Sequence, residues 1–290
     1  MLYAVMVLLT FIFAGQSLFG RLYSEAYAGK GNASAVFSIL YGIVVGVITL
    51  GINGFVFAPS VPTLLLGLLN AVTLYMYNMS LLSGSVRGSY GFLMICSVAG
   101  GMLVPIFYDA ISHGEMLAMT EIGALVLLLA SSVLMNLKGL SRSSDWKYYA
   151  WCAVLFCSNG LYGTFMNVQQ EMMAGMQRSE MIIITYMAMG IAALAITAVK
   201  NGKGFANAFR MGKKAAAYAV GACVAATIAS NMMMYLIANF GNLTFLYAFN
   251  NGSVLVVSAV LAAIIFREKL LPPRLVGIAL ACAGIVLLCL

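Results

Sequence analysis

The chain has 290 residues, of which 63% are hydrophobic and only 8% charged, with a formal net charge of +7 and a mean hydropathy of +1.01. A soluble domain runs near half apolar and a quarter charged, so this composition excludes one and points to a polytopic membrane protein. It also argues against nucleic-acid binding, which needs a clustered basic surface with base-stacking groups.

A hydrocarbon core of about 30 Å takes about 20 apolar residues to cross. Ten such runs follow in chain order, at 2–20, 34–56, 62–82, 88–108, 117–136, 146–168, 181–199, 214–238, 243–265 and 272–290. The expected fold class is therefore all-α integral membrane, with ten transmembrane helices. The first run lacks a basic leader and continues into Arg21, so it reads as a membrane helix and not as a cleaved signal peptide. The six cysteines, Cys96, Cys152, Cys157, Cys223, Cys282 and Cys289, all fall within the runs. They lack the loop spacing of a disulfide or zinc framework, and buried free thiols are expected.

Numbered in order, the odd loops carry fourteen basic and three acidic residues, a formal +11. The even loops carry only Arg178 against five acids, a formal −4. Positive charge resists translocation. The odd loops are thus expected in the cytoplasm and both termini outside, with anionic lipid headgroups beside the basic side. Adding or losing a span would scramble this asymmetry.

FAGQSLFG at 13–20 is echoed by FCSNGLYG at 156–163, with Gln16 and Asn159 at the same place. Five spans separate the copies, so the second runs the opposite way through the bilayer, as in an inverted repeat. HGEML at 113–117 and FREKL at 266–270 likewise place a glutamate before the closing span of each half, followed by Gly123 and Gly277. Two five-helix repeats are expected, 1–137 and 146–290, joined by 138–145. On these features the chain resembles the drug/metabolite transporter (DMT) superfamily, in its ten-helix branch of two EamA-type repeats. Gly114-Glu115 matches that family's Gly-Glu pair, whereas Arg267-Glu268 departs from it by placing arginine where glycine is usual. The resemblance implies transport of small metabolites or drugs, with export favoured. Both termini of such proteins are often drawn in the cytoplasm; the loop charges here argue the reverse, and that orientation is kept.

A substrate site in such a bundle lies near the midplane between the repeats. Gln16 and Asn159 are the first candidates, because amides both donate and accept hydrogen bonds; helix-to-helix bonding is the alternative role. Thr227, Asn231 and Tyr235 share one face of the eighth span by their spacing of four. Asn70, Thr73 and Tyr77 on the third span form a similar stripe. Tyr247, Asn250 and Asn251 on the ninth, Tyr162 on the sixth, Tyr186 on the seventh, and Tyr90 and Ser97 on the fourth complete the candidate lining. Gly42 and Gly46 permit close helix approach, within one chain or between two.

No Asp, Glu, Lys, Arg or His falls near the centre of any span, where one usually marks a proton relay or a charged-substrate counter-ion. Asp109, Glu171 and Glu25, at span ends, are the candidates for coupling to protons. This lining suits neutral, zwitterionic or soft cationic solutes, since aromatic faces attract cations. The 20 methionines read as core packing, and the only histidine, His113, as an exposed loop residue beside Glu115. No cofactor and no metal is expected. No P-loop signature is present, and a nucleophile–base pair or metal cluster for membrane-embedded catalysis is not evident. The function expected is secondary active transport of small polar or amphiphilic metabolites across the cytoplasmic membrane. An embedded enzyme, a channel or a scaffold subunit are the alternatives.

Overall fold

A computed structural model describes residues 1–27, 33–85, 87–88, 90–114, 116–137, 145–201, 209, 211–265 and 271–289. Among them the regular structure is helical throughout. Ten long helices follow in order: α1 (Leu2–Ala26), α2 (Ala33–Ile52), α3 (Val61–Ser85), α4 (Tyr90–His113), α5 (Met119–Met135), α6 (Trp146–Met172), α7 (Arg178–Asn201), α8 (Lys213–Asn239), α9 (Leu243–Ile265) and α10 (Pro272–Leu288).

The helix starts follow local chemistry. Asp145 caps α6 by accepting from the Lys147 backbone N–H, satisfying a donor that the first turn leaves unpaired. Glu121 reaches back to the Ala118 N–H at the start of α5. Two prolines open α10, where a missing N–H costs nothing.

Seven helices, α1–α4 and α7–α9, are long and apolar enough to cross a membrane, and α5 and α10 are shorter apolar helices. The protein is an all-α, multi-pass membrane protein. α6 reads as less apolar because it carries Asn159, Asn167, Gln169 and Gln170, of which the last three are buried.

The most extensive packing pairs α2 with α7, α5 with α10, α1 with α8, α4 with α6, and α3 with both α6 and α7. Glycines make the closest crossings possible. A Cβ on Gly42 of α2 would stand 2.5 Å from the Gly190 Cα and the Tyr186 carbonyl oxygen of α7, and one on Gly46 would strike the Met187 side chain. The Gly42–Gly46 pair thus serves packing within the chain. A core of Met6, Leu9, Tyr41, Val45, Met102, Leu128, Met166, Met189 and Met234, among others, fills the bundle.

One expectation is corrected. Cys152 and Cys223 are buried and Cys96 partly so, but Cys157 on α6, Cys282 on α10 and Cys289 just past the end of α10 are exposed. Position within an apolar run does not say which way a side chain points.

Candidate functional site

A cavity of about 1140 Å³ runs into the bundle among α1, α2, α3, α4, α6, α7, α8 and α9. Its mouth is edged by Arg21 and Glu25 from the end of α1, Ser34 from the start of α2, Asn136 just past α5, and Arg274 on the first turn of α10. These belong to the end of the bundle that carries the basic loops. Glu25 holds Arg21 at 3.1 Å.

Five tyrosines and five amides lie deeper. Gln16 Nε2 donates to the Tyr41 hydroxyl at 2.6 Å. Asn159 Nδ2 donates to the Ser97 backbone carbonyl at 2.7 Å and to Ser97 Oγ at 3.3 Å. It packs over Gly101, where a Cβ would stand 2.5 Å from that nitrogen. Asn251 Nδ2 donates to the Tyr247 carbonyl at 2.9 Å and the Gly101 carbonyl at 3.4 Å. Tyr162, Tyr186 and Ser230 form a hydroxyl chain, with O···O separations of 3.4 and 2.8 Å. The Tyr41 and Tyr186 rings lie 5.4 Å apart.

Of the sequence candidates, Gln16, Asn159, Tyr77, Tyr162, Tyr186, Tyr247 and Asn250 line this cavity together, with Ser97 and Asn251. Gln16 and Asn159 share the lining, each bonded to its own neighbours. Asn70, Thr227, Asn231 and Tyr235 lie elsewhere. Asn70 is buried and accepts from Thr73. Thr227 donates to the Cys223 carbonyl, Asn231 to the Thr227 carbonyl and, at 3.5 Å, to Thr49 on α2. Tyr235 sits under the Arg178 guanidinium, 5.5 Å from its ring centre. On α8 the cavity face is instead Ser230 and Met233. Spacing groups residues on a helix face without telling which face meets the cavity.

Sequence reading missed Tyr41, Asn78 and Ser230. Tyr41 directly precedes Gly42, and Asn78 directly follows Tyr77, so both stood next to features already noticed. Glu115, Arg267 and Glu268 lie outside the described residues, as does the side chain of Tyr90.

Of the three coupling candidates, Glu25 is at the cavity mouth. Asp109 and Glu171 are at the opposite end, where their carboxylates and the His113 ring approach within 4.8 Å of one another. His113 Nδ1 lies 3.1 Å from Asp109 Oδ1. Burial raises the Glu171 carboxyl above its ordinary value, with His113 opposing the shift and Asp109 adding to it.

That end of the cavity is closed. The Tyr247 hydroxyl shares its single proton between Asn167 Oδ1 at 2.7 Å and the Gly163 carbonyl at 3.1 Å. Beyond it, Gln169 donates to Thr63 at 3.0 Å, Gln170 donates to Gln169, and Ser60 Oγ donates to Gln177 at 2.9 Å. The rings of Tyr3, Phe240 and Phe245 pack together at the same end.

No family model and no curated protein matches the chain. In fold it is similar to a solved structure described only as a crystal structure of a protein. The match covers 100% of this chain and 98% of that one, with a TM-score of 0.77 and 13% identity. At that identity the likeness establishes fold alone.

Proposed function

We propose that the chain is a secondary transporter of the drug/metabolite type, moving small polar or amphiphilic solutes across the cytoplasmic membrane by alternating access. The observation that carries this reading is a large cavity between the two halves, mostly apolar in its lining but set with amides and hydroxyls, open at the basic end and closed at the acidic end. With the basic loops in the cytoplasm, this is an inward-open state.

The helix pairings support an inverted repeat. Exchanging each helix of one half for its counterpart five places on turns α1·α8 into α6·α3, α4·α6 into α9·α1, and α3·α7 into α8·α2. It leaves α2·α7, α5·α10 and α4·α9 unchanged, and all of these pairs pack together. Two halves related in this way interconvert inward-open and outward-open forms by exchanging conformations.

The test is solute counterflow. A thermal-shift screen against a metabolite library supplies the solute, because a ligand of the native state raises apparent stability by mass action. In proteoliposomes preloaded with that solute, labelled uptake should saturate and should accelerate. Uptake without exchange acceleration describes a pore and overturns the reading. Orientation is checked by labelling a cysteine placed at the exposed Lys213 with an impermeant reagent; reaction from outside intact cells reverses it.

A further inference from the structure

We propose that Asp109, His113 and Glu171 form a binding site for a divalent transition-metal ion of zinc's class at the acidic end of the bundle, and that the bound ion holds that end shut. Metal binding there is independent of the transport reading; the holding of one state rests on it.

Two helices deliver the three side chains. α4 and α6 run side by side in the same direction and meet at successive levels: Gly100 lies against the Phe156 carbonyl, a Cβ on Gly160 would stand 2.8 Å from the Gly100 carbonyl oxygen, and one on Gly163 would stand 3.0 Å from the Pro105 ring. Carried on toward the acidic end, this register sets the last turn of α4 beside the last turn of α6. Asp109 and His113 are four apart and so share a face of α4, and Glu171 lies in the last turn of α6.

One ligand atom from each of the three falls within 4.8 Å of the other two, and His113 Nδ1 is 3.1 Å from Asp109 Oδ1. Ligands around a tetrahedral zinc, with bonds of about 2.0–2.2 Å, stand about 3.4 Å apart. The Asp109–His113 edge already has nearly this spacing, and Glu171, exposed at its helix end, needs only a change of rotamer to close the rest. The same imidazole nitrogen stands 3.1 Å from the Asp109 carbonyl oxygen as well, a contact that coordination would replace.

The donor set chooses the ion. Two carboxylates drawn this close repel unless a cation stands between them, and the imidazole adds a nitrogen lone pair. Mixed nitrogen and oxygen ligands suit zinc and its neighbours, whereas calcium and magnesium take oxygen ligands and gain nothing from imidazole. A recess of about 110 Å³ beside Asp109, walled also by Glu121, Asn242 and Thr244, leaves room for water to complete the coordination.

The pairing of the halves says what the ion does. Exchange of conformations sends α4·α6 into α9·α1, and α4 packs on α6 more extensively than α9 packs on α1. In the opposite state α4 and α6 would take the looser arrangement, and Glu171 would part from Asp109 and His113. The three-ligand site therefore exists only while the acidic end is closed. An ion that binds one of two states shifts the population toward it, so zinc should arrest the chain in the inward-open form.

The experiment uses the full chain, with any affinity tag removed, in lipid nanodiscs, and zinc, calcium and magnesium ions as probes. His113 is the only histidine, so isotope-labelled histidine gives imidazole resonances from that residue alone. Zinc should shift them and give a saturable calorimetric signal, and calcium and magnesium at the same concentration should do neither. His113→Gln, Asp109→Asn and Glu171→Gln each stay close to the native side chain in size and so spare the fold. Each should weaken zinc about tenfold or more, since changes to a ligand's supports alone already cost about 10–100-fold. Spin labels at the exposed Met116 and Met176, in the turns after α4 and α6, should gather into the shorter-distance population with zinc and lose that response in Glu171→Gln. No zinc binding at submillimolar concentration, binding that any of the three variants leaves unchanged, calcium binding as tightly as zinc, or unchanged distances overturns the proposal. Zinc binding and closure in a chain that shows no counterflow would overturn transport and leave the site standing. Undiminished counterflow in saturating zinc would overturn the holding of the closed end and leave transport standing.

Discussion

At the scale of single residues, the two glycines of α2 face different kinds of obstacle. A Cβ on Gly42 would press on backbone atoms of α7 at 2.5 Å, whereas one on Gly46 would meet the side chain of Met187. Backbone in a packed helix cannot step aside, but an unbranched methionine can choose another rotamer. Gly42→Ala should therefore cost about 2–3 kcal/mol from overpacking and Gly46→Ala about 1 kcal/mol or less, compared by thermal unfolding in detergent. Equal losses would contradict this crossing geometry. Glu171 carries a pH signature of known sign. Its folded carboxyl is raised above the usual 4.5, mainly by partial desolvation; the residue is exposed at the end of α6, so water screens much of the effect, and the folded state holds the proton somewhat more firmly than the unfolded state does. Stability then falls as pH rises from the ordinary carboxylate value through the raised one, and levels off above it. Glu171→Gln should flatten that fall when melting temperature is followed from pH 4 to 7. A decline that persists unchanged in the variant assigns it to another group.

At the scale of elements, the closed end is a seam between α6/α7 and α8/α9. Tyr247 on α9 bonds Asn167 and Gly163 on α6. Tyr186 on α7 bonds Ser230 on α8, and Arg178 on α7 covers the Tyr235 ring on α8. Tyr247→Phe and Tyr186→Phe each remove neutral hydrogen bonds worth about 1 kcal/mol, and each should move the open-to-closed ratio at this end about fivefold. Spin labels at the exposed Met176 and Gly241 report it as growth of the longer-distance population; unchanged distances in the double variant would remove the seam from the gating path. Much at this scale was legible in advance. Each of the ten apolar runs overlaps one helix, because hydropathy and length fix a span without tertiary information. The Gln16 and Asn159 echo led to two residues that do share the cavity lining. The stripe Thr227, Asn231 and Tyr235 led away from it, since rotation of α8 about its axis is set by packing against α1 and α2. Tyr41 escaped notice because only its crossing with α7 turns it inward.

At the scale of the whole molecule, the halves are wound into each other more than they are packed within themselves. The pairs α2·α7, α5·α10, α1·α8, α4·α6, α3·α6 and α3·α7 all join residues 1–137 to residues 146–290, and all are more extensive than any pair inside one half. Glycines bring the partners together: Gly277 and Gly284 of α10 approach the Ser131 and Ala124 carbonyls of α5, each about 3 Å from where a Cβ would stand. Between helices in lipid the attraction comes from such close packing and from hydrogen bonds, not from apolar burial. A half on its own would thus lose most of the contacts that order it, and the covalent joint at 138–145 matters less than the interface. Cutting the gene there and producing both pieces together should return a complex that co-purifies through a tag on one piece. It should bind the same screened solute as the intact chain, at an affinity within about threefold, since the cavity is built across the interface and not at the joint. Either piece alone should aggregate or be degraded. A tagged first half that purifies as a stable monodisperse species would mean that helix pairs within one half suffice. In that case exchange of conformations between two mutually dependent halves would no longer describe how the cavity changes sides.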